Sequence, residues 1–301
     1  MQIRFLEYLL ALAQERHFAR AARRCNVSQP TLSSGLAALE QQVGKRLVER
    51  DRRFQGLTPE GLAILPWAQQ IVAAHDGLSA AISATQGQLA GMLRLGAIPA
   101  AMPAVGLLAS AITTANPGLE VSVRSQSSRD IVRGLAAHEL DAGLTYVDHE
   151  APTGVIAVPL YRERPIFLIA ADRAGDFGDA VTLAEALAQP LCLLHQDMQN
   201  RRILDEHFAR HGLTAAPLAT ADTYEALIAM VGSGGFNSLI PDSYGLLVPP
   251  WARALPIMPA LAPTRVGLVV SDRQPLSPIA EAALKAARAM SLPAPFDSAD
   301  L

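Results

Sequence analysis

One short stretch near the N-terminus, residues 28–34 (SQPTLSS), carries polar side chains whose chemistry suits the edges of DNA bases. Gln29 could pair with adenine through two hydrogen bonds, and the methyl group of Thr31 could pack against thymine. Ser28 is a typical helix N-cap, and Pro30 is tolerated in the first helical turn because the N–H that it lacks has no partner there. The candidate DNA-binding residues of this stretch are Ser28, Gln29, Pro30, Thr31, Ser33 and Ser34.

The residues around this stretch form the pattern of a helix-turn-helix. Apolar side chains recur at helical spacing over residues 18–24, residues 25–27 form a short break, and a second helix begins after the Ser28 cap. In a helix-turn-helix the N-terminal residues of the second helix meet base edges in the major groove. The side chains predicted to face inward are Phe18, Ala21, Ala22, Leu32, Leu36 and Leu39.

The charge is distributed unevenly along the chain. Residues 1–58 contain ten Lys and Arg against five Asp and Glu, whereas the whole chain has a formal net charge of −3. A basic head on an acidic body is typical of a DNA-binding segment, because lysine and arginine contact phosphates. A single basic cluster would indicate a solvated helix face, but here two clusters flank the helix-turn-helix. They are Arg16, Arg20, Arg23 and Arg24, and then Lys45, Arg46, Arg50, Arg52 and Arg53.

A specific set of apolar, cap and glycine positions runs through the head: Phe18, Ala21, Ala22, Val27, Ser28, Gln29, Pro30, Leu32, Ser33, Leu39, Glu40, Val43, Gly44, Leu47, Glu49, Arg50, Leu57, Thr58 and Gly61. This pattern resembles the LysR family of transcriptional regulators, and the resemblance extends along the whole chain. It implies an α/β protein with an N-terminal winged helix-turn-helix, a long linker helix, and a C-terminal effector domain of two α/β subdomains like those of periplasmic binding proteins.

The resemblance also implies particular DNA contacts. The wing would span residues 45–57, and the family's contacts carry over onto the helix residues named above and onto Arg53, with Arg50 and Arg52 beside it. Family members usually have Arg where this chain has Ser34, so one contact is expected to be lost or supplied elsewhere.

A long helix is predicted to follow the head. Thr58 suits an N-cap, Pro59 the first turn, and Glu60 the positive end of the helix dipole. Apolar residues then recur to about residue 89, and pairing with a second copy is the economical way to bury them. Pro66 should bend the helix locally or mark a break. The resemblance likewise implies a linker helix that dimerises, and we expect a homotetramer of paired dimers.

The remainder of the chain alternates predicted strands and helices, which indicates βαβ units and parallel sheets. The domains expected are a DNA-binding head (1–58), a linker helix (59–90) and an effector domain (91–301). The family fold divides the last into subdomain one (92–161 and 266–290) and subdomain two (162–265). The predicted strands are 93–97, 120–125, 142–145, 156–160, 166–170, 191–194, 218–221, 237–240 and 266–271, and the predicted helices are 103–115, 128–138, 183–188, 200–211, 223–232 and 278–290.

Ligands of open α/β sheets bind beyond the carboxyl ends of strands, where helix N-termini point. Ser127 and Ser128 start a predicted helix, where either could cap it or donate to a carboxylate. Arg201 could form a bidentate pair with a small anion or could be a surface residue. In the family, the loop after the first strand of the effector domain often ends in Thr or Ser, which residues 98–101 (IPAA) lack. The candidate effector-binding residues are Pro99, Ala100, Ala101, Ser127, Ser128, Thr145, Tyr146, Gln199, Asn200 and Arg201.

Residues 140–146 (LDAGLTY) and 190–203 (PLCLLHQDMQNRRI) resemble the branch of the family that controls formate dehydrogenase genes. That resemblance implies a small organic anion such as formate as the effector. The expected partners are therefore double-stranded DNA, a small effector, a second copy of the chain and RNA polymerase.

Other signals favour plainer interpretations. His207 and His211 lie four residues apart beside Asp205, but without a second ligand cluster a solvated helix face is expected rather than a metal site. The glycine-rich residues 232–235 lack a following Gly-Lys-Ser/Thr, so they indicate a helix-to-strand turn. Neither a catalytic set nor a cofactor motif is evident, and we expect a regulator rather than an enzyme.

The sequence also predicts the compartment and the redox chemistry of the protein. Without a long apolar run or a secretion signal, a cytoplasmic protein without a membrane span is expected. Two cysteines are too few for a disulfide framework. Cys192 lies in an apolar run and should be buried, while a redox-sensing regulator would need an exposed thiol. The alternatives that stay open are such a redox sensor and, in a different class, a small-solute-binding protein.

Overall fold

The computed structural model describes residues 1–50, 54–85 and 89–296, in a chain that divides into two compact units, Met1–Thr85 and Gln86–Leu301. The first unit begins with helices α1 (Ile3–Glu15), α2 (Phe18–Arg24) and α3 (Gln29–Val43). Helices α2 and α3 form the predicted helix-turn-helix. The buried side chains shared by the three helices include Leu9, Leu12, Ala21, Leu32, Leu36 and Leu39.

Local side chains fix the ends of these helices. The ring nitrogen Nδ1 of His17 accepts a hydrogen bond from the backbone N–H of Arg20 at the start of α2 (3.4 Å). Ser28 caps α3 by accepting from the N–H of Thr31 (3.2 Å), which confirms the predicted cap. Helix α3 ends where Gly44 adopts a left-handed conformation with φ of 72°, a backbone state that glycine enters without a Cβ penalty.

A short wing follows α3. Strands β1 (Val48–Arg50) and β2 (Phe54–Leu57) pair antiparallel. The Glu40 carboxylate of α3 accepts from the N–H groups of Leu47 (2.9 Å) and Val48 (3.2 Å). These bonds to an ionised acceptor fix the wing against the helix that precedes it.

The predicted long helix is α4 (Pro59–Thr85). Its start is capped by Thr58, whose hydroxyl oxygen accepts from the N–H of Gly61 (3.0 Å). The helix continues through Pro66, so of the two expected effects, a local bend or a break, the break does not occur. A proline removes a single backbone hydrogen bond, and the apolar face of α4 packs on the head at this point. The side chains that pack there are Ile64, Leu65, Ala68 and Val72.

The second unit contains the remaining elements. Its strands are β3 (Ala90–Ala97), β4 (Gly118–Ser125), β5 (Ala142–Tyr146), β6 (Val155–Glu163), β7 (Pro165–Ala170), β8 (Leu191–Leu194), β9 (Ala219–Ala221), β10 (Asn237–Pro241), β11 (Ala252–Pro256) and β12 (Thr264–Ser271). Its helices are α5 (Met102–Ala115), α6 (Ser128–Ala136), α7 (Leu183–Leu187), α8 (Gln199–Arg210), α9 (Tyr224–Gly232) and α10 (Pro278–Ala289), with short 3₁₀ helices at Pro99–Ala101, Ala174–Asp176 and Asp242–Leu247.

The strands form two five-stranded sheets, ordered β4-β3-β5-β12-β6 and β11-β7-β10-β8-β9. We call the elements built on the first sheet subdomain one and those on the second subdomain two. The chain passes between them from β6 to β7 and returns from β11 to β12. One hydrophobic core contains residues of both sheets, for example Leu144 of β5 and Leu168 of β7. Because the two sheets share a core, side chains of both subdomains are held in fixed positions where the sheets meet.

Both sheets are mixed, which corrects the expectation of parallel sheets. Strand β3 runs parallel to β4 and β5, but β12 is antiparallel to β5 and β6. Strand β7 is likewise antiparallel to β10 and β11. The reason is that the connecting strands run in opposite directions as the chain leaves and re-enters subdomain one. Strand β11, which was not predicted, lies between prolines that obscure its pattern.

Two simpler predictions concern the same unit. Helix α9 ends at Gly232 and Gly234 has φ of 81°, so the glycine-rich residues form the predicted helix-to-strand turn. Across residues 1–50, 54–85 and 89–296, the helices include none that is long and apolar enough to span a membrane.

Candidate functional site

The exposed N-terminal end of α3 carries the side chains that were predicted to meet DNA. Gln29, Pro30, Thr31 and Ser34 are exposed and Ser33 is half-buried. The structure therefore brings these residues together at one end of α3.

Ser28 differs from its neighbours because its hydroxyl is already engaged. It caps α3, as described above, and also shares a hydrogen bond of 2.7 Å with the hydroxyl of Thr31. The pair orders the first turn of the helix, so that Gln29 is held between two fixed residues.

The basic residues around the helix-turn-helix fall into two groups. Arg20 and Arg24 of α2 lie 3.5 and 3.3 Å from the carboxylate of Glu15, the last residue of α1. Lys45 and Arg46 are exposed before the wing. Three arginines were predicted to contact DNA from the wing. Arg52 and Arg53 lie outside the described residues, and of Arg50 only the backbone is described.

A small cavity lies where elements of the two subdomains meet, with a volume of about 10 Å³, which is room for about one water molecule. Subdomain one contributes the loop after β3, the start of α6 and the end of β5, and subdomain two contributes the end of β8 and the start of α8. We call it the effector cavity. Its lining residues are Ile98, Pro99, Ala100, Ser127, Ser128, Tyr146, Leu194, Met198, Gln199 and Asn200.

The two adjacent serines at the start of α6 have different roles. Ser127 is the N-cap, since its oxygen accepts from the N–H of Asp130 (3.2 Å) while its hydroxyl lies 2.6 Å from the Asp130 carboxylate. The hydroxyl oxygen of Ser128 is buried and has no hydrogen-bond partner among the described residues. The amide oxygen of Gln199 is in the same situation. Both atoms are therefore available to a ligand in the cavity.

Three predicted residues do not line the cavity. Arg201 is 2% exposed and donates to the Asp205 carboxylate (2.8 Å) and to the carbonyl of Leu194 (3.1 Å). Its guanidinium is thus used inside the protein, which corrects both interpretations of this residue, as an anion ligand and as a surface side chain. Thr145 and Ala101 are buried and are not among the residues that line the cavity.

Tyr146 belongs to a buried hydrogen-bonded chain that reaches across the subdomains. Asn200 donates its side-chain amide to the Tyr146 hydroxyl oxygen (2.6 Å), and that oxygen lies 2.6 Å from Oε1 of Glu163. Glu163 is 4% exposed. Burial raises the pKa of its carboxyl group to about 8, although the Tyr146 hydrogen bond acts in the opposite direction. The sequence did not single out Glu163, because an acidic residue at a strand end is ordinarily exposed.

His207 corrects another expectation. It is buried on α8, and burial lowers the pKa of its imidazole, so that its part of the helix is not a solvated face. Within the described residues no group of three or more His, Cys, Asp or Glu side chains is arranged to hold a metal.

Of the two cysteines, Cys192 is fully buried. Its Sγ lies 3.5 Å from the carbonyl of Asn237, and burial raises the pKa of its thiol to about 11. Cys25 is half-buried in the head, and burial raises its pKa as well.

Two family descriptions match this chain. Residues 3–62 match the bacterial regulatory helix-turn-helix protein of the lysR family, and residues 86–291 match the LysR substrate binding domain.

Curated relatives give a consistent result. OxyR, a DNA-binding transcriptional dual regulator of Escherichia coli, is 30% identical over 96% of this chain and 95% of its own length. An uncharacterized regulator of the same organism, YnfL, is 30% identical over 93% and 95%. A probable hydrogen peroxide-inducible genes activator of Mycobacterium avium is 39% identical, but this match spans about half of each protein (52% and 51%).

Solved structures share the whole architecture. A full-length OxyR variant of Pseudomonas aeruginosa has a TM-score of 0.71 at 26% identity and covers 97% of this chain and 99% of that one. Full-length CbnR in complex with its target DNA has a TM-score of 0.70 at 23% identity and covers 96% and 99%, which shows likeness of fold.

Proposed function

This chain belongs to the LysR family of DNA-binding transcriptional regulators, and we propose that a small organic anion in the effector cavity changes how it binds its DNA sites. The observation that carries this proposal is the position of the cavity between the two subdomains. A ligand that contacts both subdomains stabilises one relative arrangement of them over others, and that is the requirement for shifting a population between two states.

The head would read DNA through α3. Gln29 and Thr31 reach base edges in the major groove, while Arg50, Arg52, Arg53 and the basic residues before the wing contact phosphates. The division into a head (1–58), a linker helix (59–90) and an effector domain (91–301) follows from this assignment.

Helix α4 would pair two copies of the chain. Beyond the face that packs on the head it exposes a second apolar stripe, spaced by four, seven and four residues, which is the repeat of an antiparallel or parallel helix pair. Dimerisation places two heads on two half-sites, and pairs of dimers give a tetramer that can contact RNA polymerase. The stripe consists of Trp67, Ile71, Leu78 and Ile82.

The chemistry of the cavity favours an anion. Helix α8 begins there after Met198, and its first N–H groups receive no cap from a side chain of the described residues. Helix N-termini carry a partial positive charge and point their N–H groups at bound anions. The hydroxyl of Ser128 adds a further donor, and the small volume favours a very small anion, such as formate.

Redox sensing is the alternative within the family, because relatives are named as hydrogen peroxide-inducible activators. A sensor thiol has to be accessible and largely ionised. Cys192 is buried and protonated at neutral pH, so this chain offers peroxide a poor target there. A solute-binding protein, the alternative in another class, would have no use for the DNA-binding head.

The test is a footprint of the purified protein on the DNA upstream of its own gene, at near-physiological salt, with and without a panel of small carboxylates that includes formate. A protected region whose length changes with one acid supports both parts of the proposal. A footprint that no acid changes refutes the anionic effector and leaves the regulator. Binding only at low salt, with no defined protected site, refutes sequence-specific recognition, because phosphate contacts alone are lost as salt rises.

A further inference from the structure

We propose that Glu163 determines the charge of the ligand that the effector cavity accepts, by setting whether the Tyr146 hydroxyl offers the cavity a hydrogen atom or only a lone pair. This inference rests on the proposed function, since it concerns the same cavity.

The argument begins with the donor and acceptor capacity of one hydroxyl. Tyr146 has a single O–H and two lone pairs. The side-chain nitrogen of Asn200 only donates, so it occupies one lone pair of the Tyr146 oxygen at 2.6 Å. Tyr146 and Asn200 both line the effector cavity. What remains for a ligand therefore depends on the third partner, Oε1 of Glu163, also at 2.6 Å.

The two protonation states of Glu163 give opposite results. An ionised carboxylate only accepts, so it takes the Tyr146 hydrogen atom and leaves Tyr146 with none to donate into the cavity. A neutral carboxyl group can donate its own hydrogen to the second lone pair of Tyr146, which frees the Tyr146 O–H to donate to a ligand. The neutral state thus favours an anion, whereas the ionised state opposes one by both its charge and the missing donor.

The surroundings of Glu163 favour the neutral state. The second carboxyl oxygen, Oε2, is buried and has no hydrogen-bond partner among the described residues. Leaving an ionised oxygen unpaired in the interior costs far more than leaving a neutral carbonyl oxygen unpaired. Burial accordingly raises the pKa of Glu163 to about 8.

The charges that face Glu163 come from several elements. Asp242 after β10 and Asp148 after β5 are acidic and raise its pKa further. On the opposite side Arg164 and His207 line a neighbouring cavity together with Glu163. A cation at Arg164 favours ionisation, but the effect of burial is larger, and His207 is itself held towards its neutral form by burial.

Three further tyrosine residues lie near the Glu163 carboxyl group, and their raised pKa values keep them uncharged near neutral pH. Tyr161 and Tyr224 are buried, and the hydroxyl oxygen of Tyr224 has no hydrogen-bond partner among the described residues. Tyr244 donates to the carbonyl of Pro99 (2.8 Å). Apart from Arg164, the named neighbours of Glu163 are therefore neutral or acidic, and its carboxyl group retains its proton near neutral pH.

The experiment measures the affinity of formate and of formamide, its neutral analogue, by calorimetry between pH 6.5 and pH 9. Formate stays ionised throughout this range. In the unaltered protein the affinity for formate should fall by about tenfold from pH 6.5 to pH 9, as a group of pKa about 8 loses its proton. The affinity for formamide should change by less.

Two variants separate Glu163 from other titrating groups. Glu163→Gln carries an amide that donates to Tyr146 permanently, so formate affinity should be retained at pH 9 and the pH dependence should vanish. Tyr146→Phe removes the donor and should weaken formate binding more at pH 6.5 than at pH 9, where the ionised Glu163 already takes the Tyr146 hydrogen atom. Any slope that persists in Glu163→Gln arises from a group other than Glu163.

The outcomes distinguish this inference from the proposed function. If formate binds with the same pH slope in the unaltered protein and in Glu163→Gln, the role of Glu163 is refuted while the anionic effector stands. An infrared band of a neutral carboxyl group that is lost above pH 8 and absent in Glu163→Gln supports the inference without any ligand. Its absence at pH 6.5 overturns the inference. If no acid of the panel binds either protein at any pH, the anionic effector is refuted, and with it this role of Glu163.

Discussion

Arg202 of α8 donates to the carboxylate of Glu150, with Nε 2.8 Å from Oε1 and Nη2 2.5 Å from Oε2. Glu150 lies in the segment after β5 and so belongs to subdomain one, whereas Arg202 belongs to subdomain two. Gln199, at the start of the same helix, donates to the carbonyl of His149. The start of α8 is thereby fastened to subdomain one beside the effector cavity, through a bidentate ion pair of the geometry that arginine favours.

Arg202→Ala should loosen this connection. Because Glu150 is partly exposed, the loss of unfolding free energy should be modest, about 1 kcal/mol or less, but hydrogen exchange of the residues after β5 should accelerate clearly. The Arg202 hydrogen bond holds the pKa of Glu150 below its ordinary value of 4.5. Such a group contributes stability above 4.5 that is lost as the pH falls through its lower folded pKa. The difference between the two proteins in urea unfolding should therefore be larger at pH 7 than at pH 4.

Arg253→Ala is the matched control. Arg253 of β11 pairs with Asp179 (3.7 Å), and both residues belong to subdomain two, so its removal deletes an exposed ion pair that does not connect the subdomains. Equal hydrogen exchange after β5 in the two variants would show that the Arg202 pair does not connect the subdomains.

Cys192 should be inert towards peroxide. At neutral pH a thiol whose pKa is about 11 is almost entirely protonated, and the nucleophile in oxidation is the thiolate. We expect mass spectrometry of the peroxide-treated native protein to find Cys192 unmodified, and the DNA footprint of Cys192→Ala to match that of the unaltered protein with or without peroxide. A footprint that peroxide changes only when Cys192 is present would restore the redox-sensing alternative.

Some of this architecture could be predicted from the sequence because its determinants are local. Ser28 and Thr58 cap helices through atoms within three residues, and such contacts leave a recognisable pattern. The mixed direction of the sheets was missed, because alternation of strands and helices does not reveal which way a connecting strand returns.

The candidate site was only partly predictable for a related reason. Tyr146 and Asn200 were found because one ends a strand and the other lies at the start of a helix. Glu163 acquires its character from β5, from acidic residues after β5 and β10, and from burial between the subdomains, none of which is adjacent in sequence. Arg201 is a charged residue that a local Asp205 and a carbonyl allow to be buried, against the usual tendency of arginine.

The exposed stripe of α4 should control assembly. Leu78→Glu would place a carboxylate in an apolar helix pair, where an unpaired charge is strongly unfavourable. Sedimentation velocity at micromolar concentration should show a shift from dimer or tetramer towards monomer. Leu62→Glu is the control, since Leu62 is similarly exposed (59% against 61%) but lies away from the stripe on the same helix. An equal shift in both variants would argue against the stripe as the interface.

Gln29→Ala should reduce sequence discrimination without affecting the fold. Gln29 is exposed at the first turn of α3, so its removal costs no buried contact. A bidentate contact from glutamine to adenine contributes about 1–3 kcal/mol of discrimination. In the unaltered protein, replacing the contacted adenine of the footprinted site should weaken binding by the corresponding factor. In Gln29→Ala the two sites should bind nearly alike, and the dependence of affinity on salt should stay the same, because no phosphate contact is lost.

Gln42→Ala provides the comparison, since Gln42 is an exposed glutamine at the other end of α3. It should retain full discrimination at the same salt concentration. A decrease in the salt dependence of Gln29→Ala with no change in discrimination would instead indicate that Gln29 contacts the DNA backbone, so that the bases are read by Thr31, Ser33 or Ser34.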